Sequence, residues 1–133
     1  MAPKLEYEQL RVLVIEDQPF IRKMIVEILI NIGFRQIKEA EDGAAGLEIV
    51  AAWPLDLIIC DIEMGPVDGL SFLETLRRDD TPGKARSPVI FVTSHAESET
   101  VERARDLGVD AFIVKLPSTA ALQSRIDFVL RRQ

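Results

Sequence analysis

Apolar residues fall into five short runs along the chain: VLVIE (12–16), RQIKEA (35–40), LDLIICD (55–61), PVIFVTS (88–94) and DAFIVK (110–115). All but the second are nearly continuous in Val, Ile, Leu and Phe. Continuous runs of this length predict strands covered on both faces, as in a parallel sheet; half-exposed strands would alternate. The run at 35–40 is more polar and reads as an edge strand.

Between the runs the apolar spacing changes to three and four residues. Phe20, Ile21, Met24, Ile25, Ile28, Leu29 and Ile32 predict an amphipathic helix closed by Gly33. Ala44, Leu47, Val50 and Ala51 share one face of a second helix, and Leu70, Leu73 and Leu76 one face of a third. Val101, Ala104 and Leu107 mark a fourth, and Leu122, Ile126, Val129 and Leu130 a fifth. Asp42, Ser98 and Ser118 stand where N-caps are expected. Strict alternation of strand and helix predicts right-handed crossovers, hence an α/β, doubly wound parallel sheet with helices on both faces. The sequence contains no internal repeat or low-complexity segment. The stretch DDTPGKARSP (79–88) reads as a long polar surface connection.

Composition narrows the function classes. A chain of 133 residues fits one domain, expected here over 1–133 with 1–9 as an N-terminal tail and no output domain. A net charge of −6 disfavours a generic electrostatic grip on nucleic acid or anionic lipid. No apolar run approaches the roughly 20 residues of a membrane span, and no signal peptide is evident. The single Cys60 precludes an internal disulfide. These features suggest a cytoplasmic protein.

In open α/β sheets, sites form beyond the carboxyl ends of the strands. Here those ends are Glu16-Asp17, Asp61, Thr93-Ser94 and Lys115. Taken singly, each is an ordinary solvated strand terminus; together, on four strands, they describe a site. Clustered carboxylates repel and raise one another's pKa, so a positive group must compensate: Lys115, or a hard divalent cation such as Mg²⁺. A carboxylate nucleophile, a metal, a hydroxyl and an ammonium are the parts that phosphoryl transfer needs.

The spacing of Glu16-Asp17, Asp61, Thr93, Phe112 and Lys115 resembles the response-regulator receiver family, close to its single-domain chemotaxis type, over about residues 10–131. That resemblance implies five strands in the order 2-1-3-4-5 with five helices, a flavodoxin-like arrangement. It implies that Asp61 accepts a phosphoryl group from a histidine kinase or histidine phosphotransfer protein. Glu16, Asp17, Asp61 and the backbone carbonyl of Glu63 would hold Mg²⁺. Thr93 would bond the phosphoryl group, Lys115 would contact it, and Phe112 would be the ring that swings inward. The protein would catalyse its own phosphorylation and slow dephosphorylation without being an enzyme in the metabolic sense. Its output would be a protein target met through the face of the fourth helix, fifth strand and fifth helix, as a monomer or a phosphorylation-dependent dimer, with no nucleic acid or membrane involved.

Two departures from the family pattern stand out. Gly65 separates Met64 from Pro66, which should loosen that loop. Leu116 separates Lys115 from Pro117, where the family usually has proline after the lysine, often through a cis bond. A cis bond between non-proline residues costs about 2.5–4 kcal/mol, which favours a rebuilt loop with a trans bond and leaves the reach of Lys115 open. This insertion is the main support for an alternative, a phosphorylation-independent receiver-like interaction module. Two other classes fit less well. A flavodoxin-like electron carrier would need a Ser/Thr/Gly-rich cradle where EDQPF stands, and a haloacid-dehalogenase-type phosphatase would carry its aspartate pair on the first strand.

The remaining candidates are modest. His95, two residues after Thr93, reads mainly as surface; with Glu63 it could tune access of water to a phosphoaspartate. Cys60 reads as a small buried hydrophobe. Trp53 is expected to close the second helix against the domain. Ile49 and Phe128 lie off their helices' stripes, at core flanks or in a partner interface. Arg77-Arg78 and Arg131-Arg132 are read as solvated charges.

Overall fold

Each apolar run forms a strand, and the elements alternate: β1 (Arg11–Ile15), α1 (Pro19–Ile32), β2 (Gln36–Ala40), α2 (Gly43–Ala52), β3 (Leu57–Asp61), α3 (Gly69–Arg77), β4 (Val89–Thr93), α4 (Ser98–Asp106), β5 (Ala111–Val114) and α5 (Thr119–Arg131). These come from a computed structural model that describes residues 5–64, 67–81, 83–94 and 98–132. The strands form one parallel sheet in the order β2-β1-β3-β4-β5. This is the doubly wound, flavodoxin-like arrangement expected from the sequence.

Because strand side chains alternate in direction, the central strands feed two cores. Leu13, Ile15, Ile58, Cys60, Val89 and Phe91 face α2, α3 and α4, which contribute Val50, Phe72, Leu73, Leu76 and Ala104. Val12, Val14, Leu57, Ile59, Ile90 and Val92 face α1 and α5, which contribute Ile25, Leu29, Leu122, Ile126 and Val129. The strands β1, β3 and β4 are buried on both sides, which is why their sequences are apolar without a break.

Helix ends follow local chemistry. Asp42 and Ser118 accept hydrogen bonds from the N–H groups of Ala45 (2.8 Å) and Ala121 (3.0 Å), as their N-cap positions predict. Asp68 does the same for Ser71 at 2.8 Å. The α4 helix begins at Ser98, but the Ser98 side chain lies outside the described residues, as do Gly65, Pro66 and His95. Gly33 ends α1 at φ 133°, where its N–H reaches the carbonyls of Leu29 and Ile30. Within the segment read as a tail, Tyr7–Gln9 forms a 3-10 turn. Tyr7 packs on Phe34 and donates its hydroxyl to Asp127 at 2.6 Å.

Several sequence expectations need correction. Phe20 is 71% exposed, because the face of α1 that packs on the core runs through Ile21, Ile25, Ile28, Leu29 and Ile32 and leaves Phe20 at its side. The β5 strand is only half-buried, with Val114 52% exposed, because it is an outer strand paired to β4 alone. Phe128 is exposed beneath the Arg132 guanidinium, whereas Ile49 lies at a core flank. Arg77 and Arg132 are not merely solvated: both pair with Asp110, at 3.0 and 2.7 Å. Trp53 caps α2 as expected, with Lys38 Nζ 5.1 Å from its ring centroid and Lys84 donating to its carbonyl.

Candidate functional site

Parallel register brings the strand ends level. Ile15 pairs with Cys60, Asp61 with Val92, and Thr93 with Val114, so the residues at or just after these positions share one edge of the sheet. Glu16 is fully buried and Asp61 2% exposed; Asp17 is exposed. Each of the three offers a carboxylate oxygen within 4.8 Å of the others.

Lys115 closes this cluster. Its Nζ lies 2.7 Å from Glu16 Oε1 and 3.2 Å from Asp61 Oδ1. The expectation of a rebuilt loop with a trans bond after Lys115 is overturned: the Lys115–Leu116 peptide is cis. Both ends of Lys115 are held. Its N–H donates to the Thr93 carbonyl at 2.8 Å and its ammonium is gripped by the two acids, while the Leu116 side chain is left half-exposed.

The electrostatics follow from burial. Burial pushes the Glu16 carboxyl up from 4.5 to about 7; Lys115 pulls it back, and Asp17 and Asp61 push it up again. Burial also raises Asp61, against the opposing effects of Glu16, Lys115 and the Glu63 N–H. For Lys115, burial disfavours the ammonium, yet Glu16 and Asp61 outweigh it and the net shift is upward. Cys60, fully buried beside this charge, has its thiol pushed well up, first by burial and then by Asp61, Glu16 and Asp68. It is an inert core residue, as expected.

The donor set suits a hard cation. It is all oxygen, and Glu16 Oε1 is a buried atom that accepts no well-directed hydrogen bond from the described residues, its ion pair with Lys115 apart. Among the described residues, Glu16, Asp17 and Asp61 form the carboxylate cluster whose chemistry suits a hard divalent cation.

Thr93 is fully buried at the end of β4, and its hydroxyl donates to Glu63 Oε1 at 2.8 Å. The Glu63 N–H in turn donates to Asp61 Oδ1 at 3.2 Å. Phe112 is half-buried on the same side of the sheet, edge-on to Phe91 with centroids 5.8 Å apart.

Two contributors were missed from the sequence. Arg22 donates to the Glu16 carbonyl at 2.8 Å and pairs with Glu39 at 3.1 Å, tying α1 and β2 to the site. An arginine on the polar face of a helix gives no local signal of this. Gly69 lets α3 start directly against the β3 end: a Cβ there would lie 2.6 Å from the Asp61 carbonyl oxygen and 2.7 Å from Ile62 Cα. The Asp68-Gly69 pair before an apolar helix was the available signal.

The sequence and fold are similar to those of known proteins. The family model described as the response regulator receiver domain matches residues 12–127. The chain is 30% identical over 122 residues to a probable chemotaxis protein CheY of Rhizobium etli, covering 92% of this chain and 93% of that one. It is 26% identical over 125 residues to chemotaxis protein CheY-3 of Vibrio cholerae, covering 94% and 95%. Among solved structures, the N-terminal domain of a response regulator/sensory box/GGDEF protein from Carboxydothermus hydrogenoformans superposes with a TM-score of 0.80 at 30% identity, covering 92% of this chain and 94% of that one. Vibrio cholerae CheY4 superposes with a TM-score of 0.83 at 24% identity, covering 91% and 98%, a likeness of fold.

Proposed function

The chain belongs to the response regulator receiver family of two-component signalling, and from that premise we propose that Asp61 is its phosphoacceptor. The observation that carries this reading is the meeting of Asp61, the acidic pair, Thr93 and Lys115 at one sheet edge, with Lys115 touching both buried acids. A carboxylate oxygen of Asp61 attacks the phosphorus of a phosphohistidine on a histidine kinase or phosphotransfer protein. The P–N bond breaks, its electron pair returns to the imidazole, which takes up a proton, and an acyl phosphate remains on Asp61.

Mg²⁺, held by Glu16, Asp17, Asp61 and the Glu63 carbonyl, would when bound supply positive charge for the phosphoryl oxygens. Lys115 offers its ammonium to the same oxygens from just past the end of β5. The Thr93 hydroxyl, once it bonds a phosphoryl oxygen, draws the following loop inward and alters the space beside Phe112. A local bond thereby biases the face formed by α4, β5 and α5, through which a protein target is met. The protein is a signalling phosphoacceptor whose covalent turnover is its message. The phosphorylation-independent alternative rested on Leu116 displacing Lys115, and the Lys115 ion pairs weigh against it.

Incubation with an acyl phosphate donor, with and without Mg²⁺, followed by intact mass measurement, tests the reading. One phosphoryl adduct is expected on the wild type with Mg²⁺ and none on Asp61→Asn. A folded wild type that takes up no phosphoryl group in the presence of bound Mg²⁺ would overturn it.

A further inference from the structure

Glu63 touches both halves of the proposed device: its N–H bonds the Asp61 carboxylate, and its own carboxylate accepts the Thr93 hydroxyl proton at 2.8 Å. We propose that Glu63 is a positioning residue that latches Thr93 in the resting state, its carboxylate standing where a phosphoryl oxygen would otherwise receive that hydroxyl. The inference rests on Asp61 phosphorylation, and it goes beyond a general influence of Glu63 on water access by naming the group it holds.

The argument is one of proton count and charge. A threonine hydroxyl carries a single proton, so a hydrogen bond given to Glu63 is withheld from any other acceptor. Thr93 is fully buried, so water does not compete freely for that proton. A hydrogen bond to a charged acceptor is stronger than one between neutral groups. A phosphoryl group arriving on Asp61 meets the Glu63 carboxylate as a like charge beside a hydroxyl already engaged. Switching then requires the hydroxyl to change partners and the Glu63 side chain to leave. Glu63 thus sets a threshold: it opposes spurious inward movement of Thr93 and slows the response to phosphorylation.

The amide of Glu63→Gln keeps an oxygen acceptor for Thr93 but no charge, and Glu63→Ala keeps neither. The first measurement needs no phosphorylation: methyl NMR of Thr93, and ring signals of Phe112, in the metal-free wild type and both variants. The latch predicts that Glu63→Ala shifts these signals and Glu63→Gln largely restores them. The second is the rate of Mg²⁺-dependent adduct formation from an acyl phosphate. It is expected to rise about tenfold in Glu63→Ala, the ratio that about 1.4 kcal/mol produces, and by less in Glu63→Gln. Unchanged Thr93 signals in a folded Glu63→Ala protein overturn the latch. So does an adduct rate equal to that of the wild type. If no protein forms an adduct, including the wild type, the phosphoacceptor reading fails, and the adduct-rate prediction for the latch fails with it.

Discussion

Glu16 is buried against Lys115 and Asp61, and its raised pKa has a definite sign for stability. A carboxyl whose pKa is higher in the folded state holds its proton more tightly there, so folding is favoured below the unfolded value of 4.5 and loses that advantage as pH rises through about 7. Asp61 is shifted in the same direction. In chelator-treated protein, urea midpoints are therefore expected to fall between pH 5 and pH 8, with a smaller fall in Glu16→Gln. Added Mg²⁺ should reverse the fall at pH 8 and do little at pH 5, where proton and cation compete for the same oxygens. The cation side is testable too. Lys115→Ala leaves two buried acids without their partner, a change expected to cost about 3 kcal/mol in metal-free protein by denaturant unfolding.

At the scale of elements, the site depends on where helices begin. The Gly69 position has no space for a side chain, since a Cβ would press on backbone atoms of Asp61 and Ile62 rather than on a flexible side chain. Gly69→Ala is expected to destabilise the fold by about 1–3 kcal/mol and to weaken Mg²⁺ binding, because the displacement falls on the residue that carries the acid. Binding titrations on the folded fraction separate the two effects. The Asp42, Asp68 and Ser118 caps each satisfy one helix N–H. Replacement of Asp42 or Ser118 by alanine should cost about 1 kcal/mol without touching Mg²⁺ affinity.

Across the whole molecule, the end of the sheet opposite the site is held by a polar clasp. Arg77 donates to the carbonyls of Ala85, Ser87 and Gly108 and pairs with Asp110, which also receives Arg132 and the Val89 N–H. One guanidinium therefore fastens α3 to the 79–88 connection and to the turn before β5. Burial lowers the Arg77 pKa against the pull of Asp110, the mark of a charge kept inside by its partners. Arg77→Ala is expected to lower unfolding free energy by about 2–3 kcal/mol, since it strips several charged hydrogen bonds at once. Phosphorylation of the remaining folded protein should be unchanged, because the clasp and the acids lie at opposite edges. Equal loss of both in melting and phosphodonor assays would refute this separation.

The sequence alone determined the alternation of strand and helix, the two-sided burial of β1, β3 and β4, and the residues that meet at the carboxyl edge. Those properties are local: an apolar run such as Leu57–Cys60 states its burial on each face, and parallel strands must all end at one edge. Even the edge character of β2 was visible in its lysine and glutamate. Tertiary structure decided the rest. Phe20 follows the helical spacing yet is exposed, because the face that packs on the core runs through Ile21, Ile25 and Leu29. Leu116 broke a familiar pattern, yet Lys115 keeps its place because two acids from distant strands hold its ammonium. Arg22, Arg77 and the Glu63–Thr93 bond left no mark in the sequence. A long polar side chain has no periodicity to announce its partner; which carbonyl or hydroxyl it reaches is fixed only when separate elements are packed together.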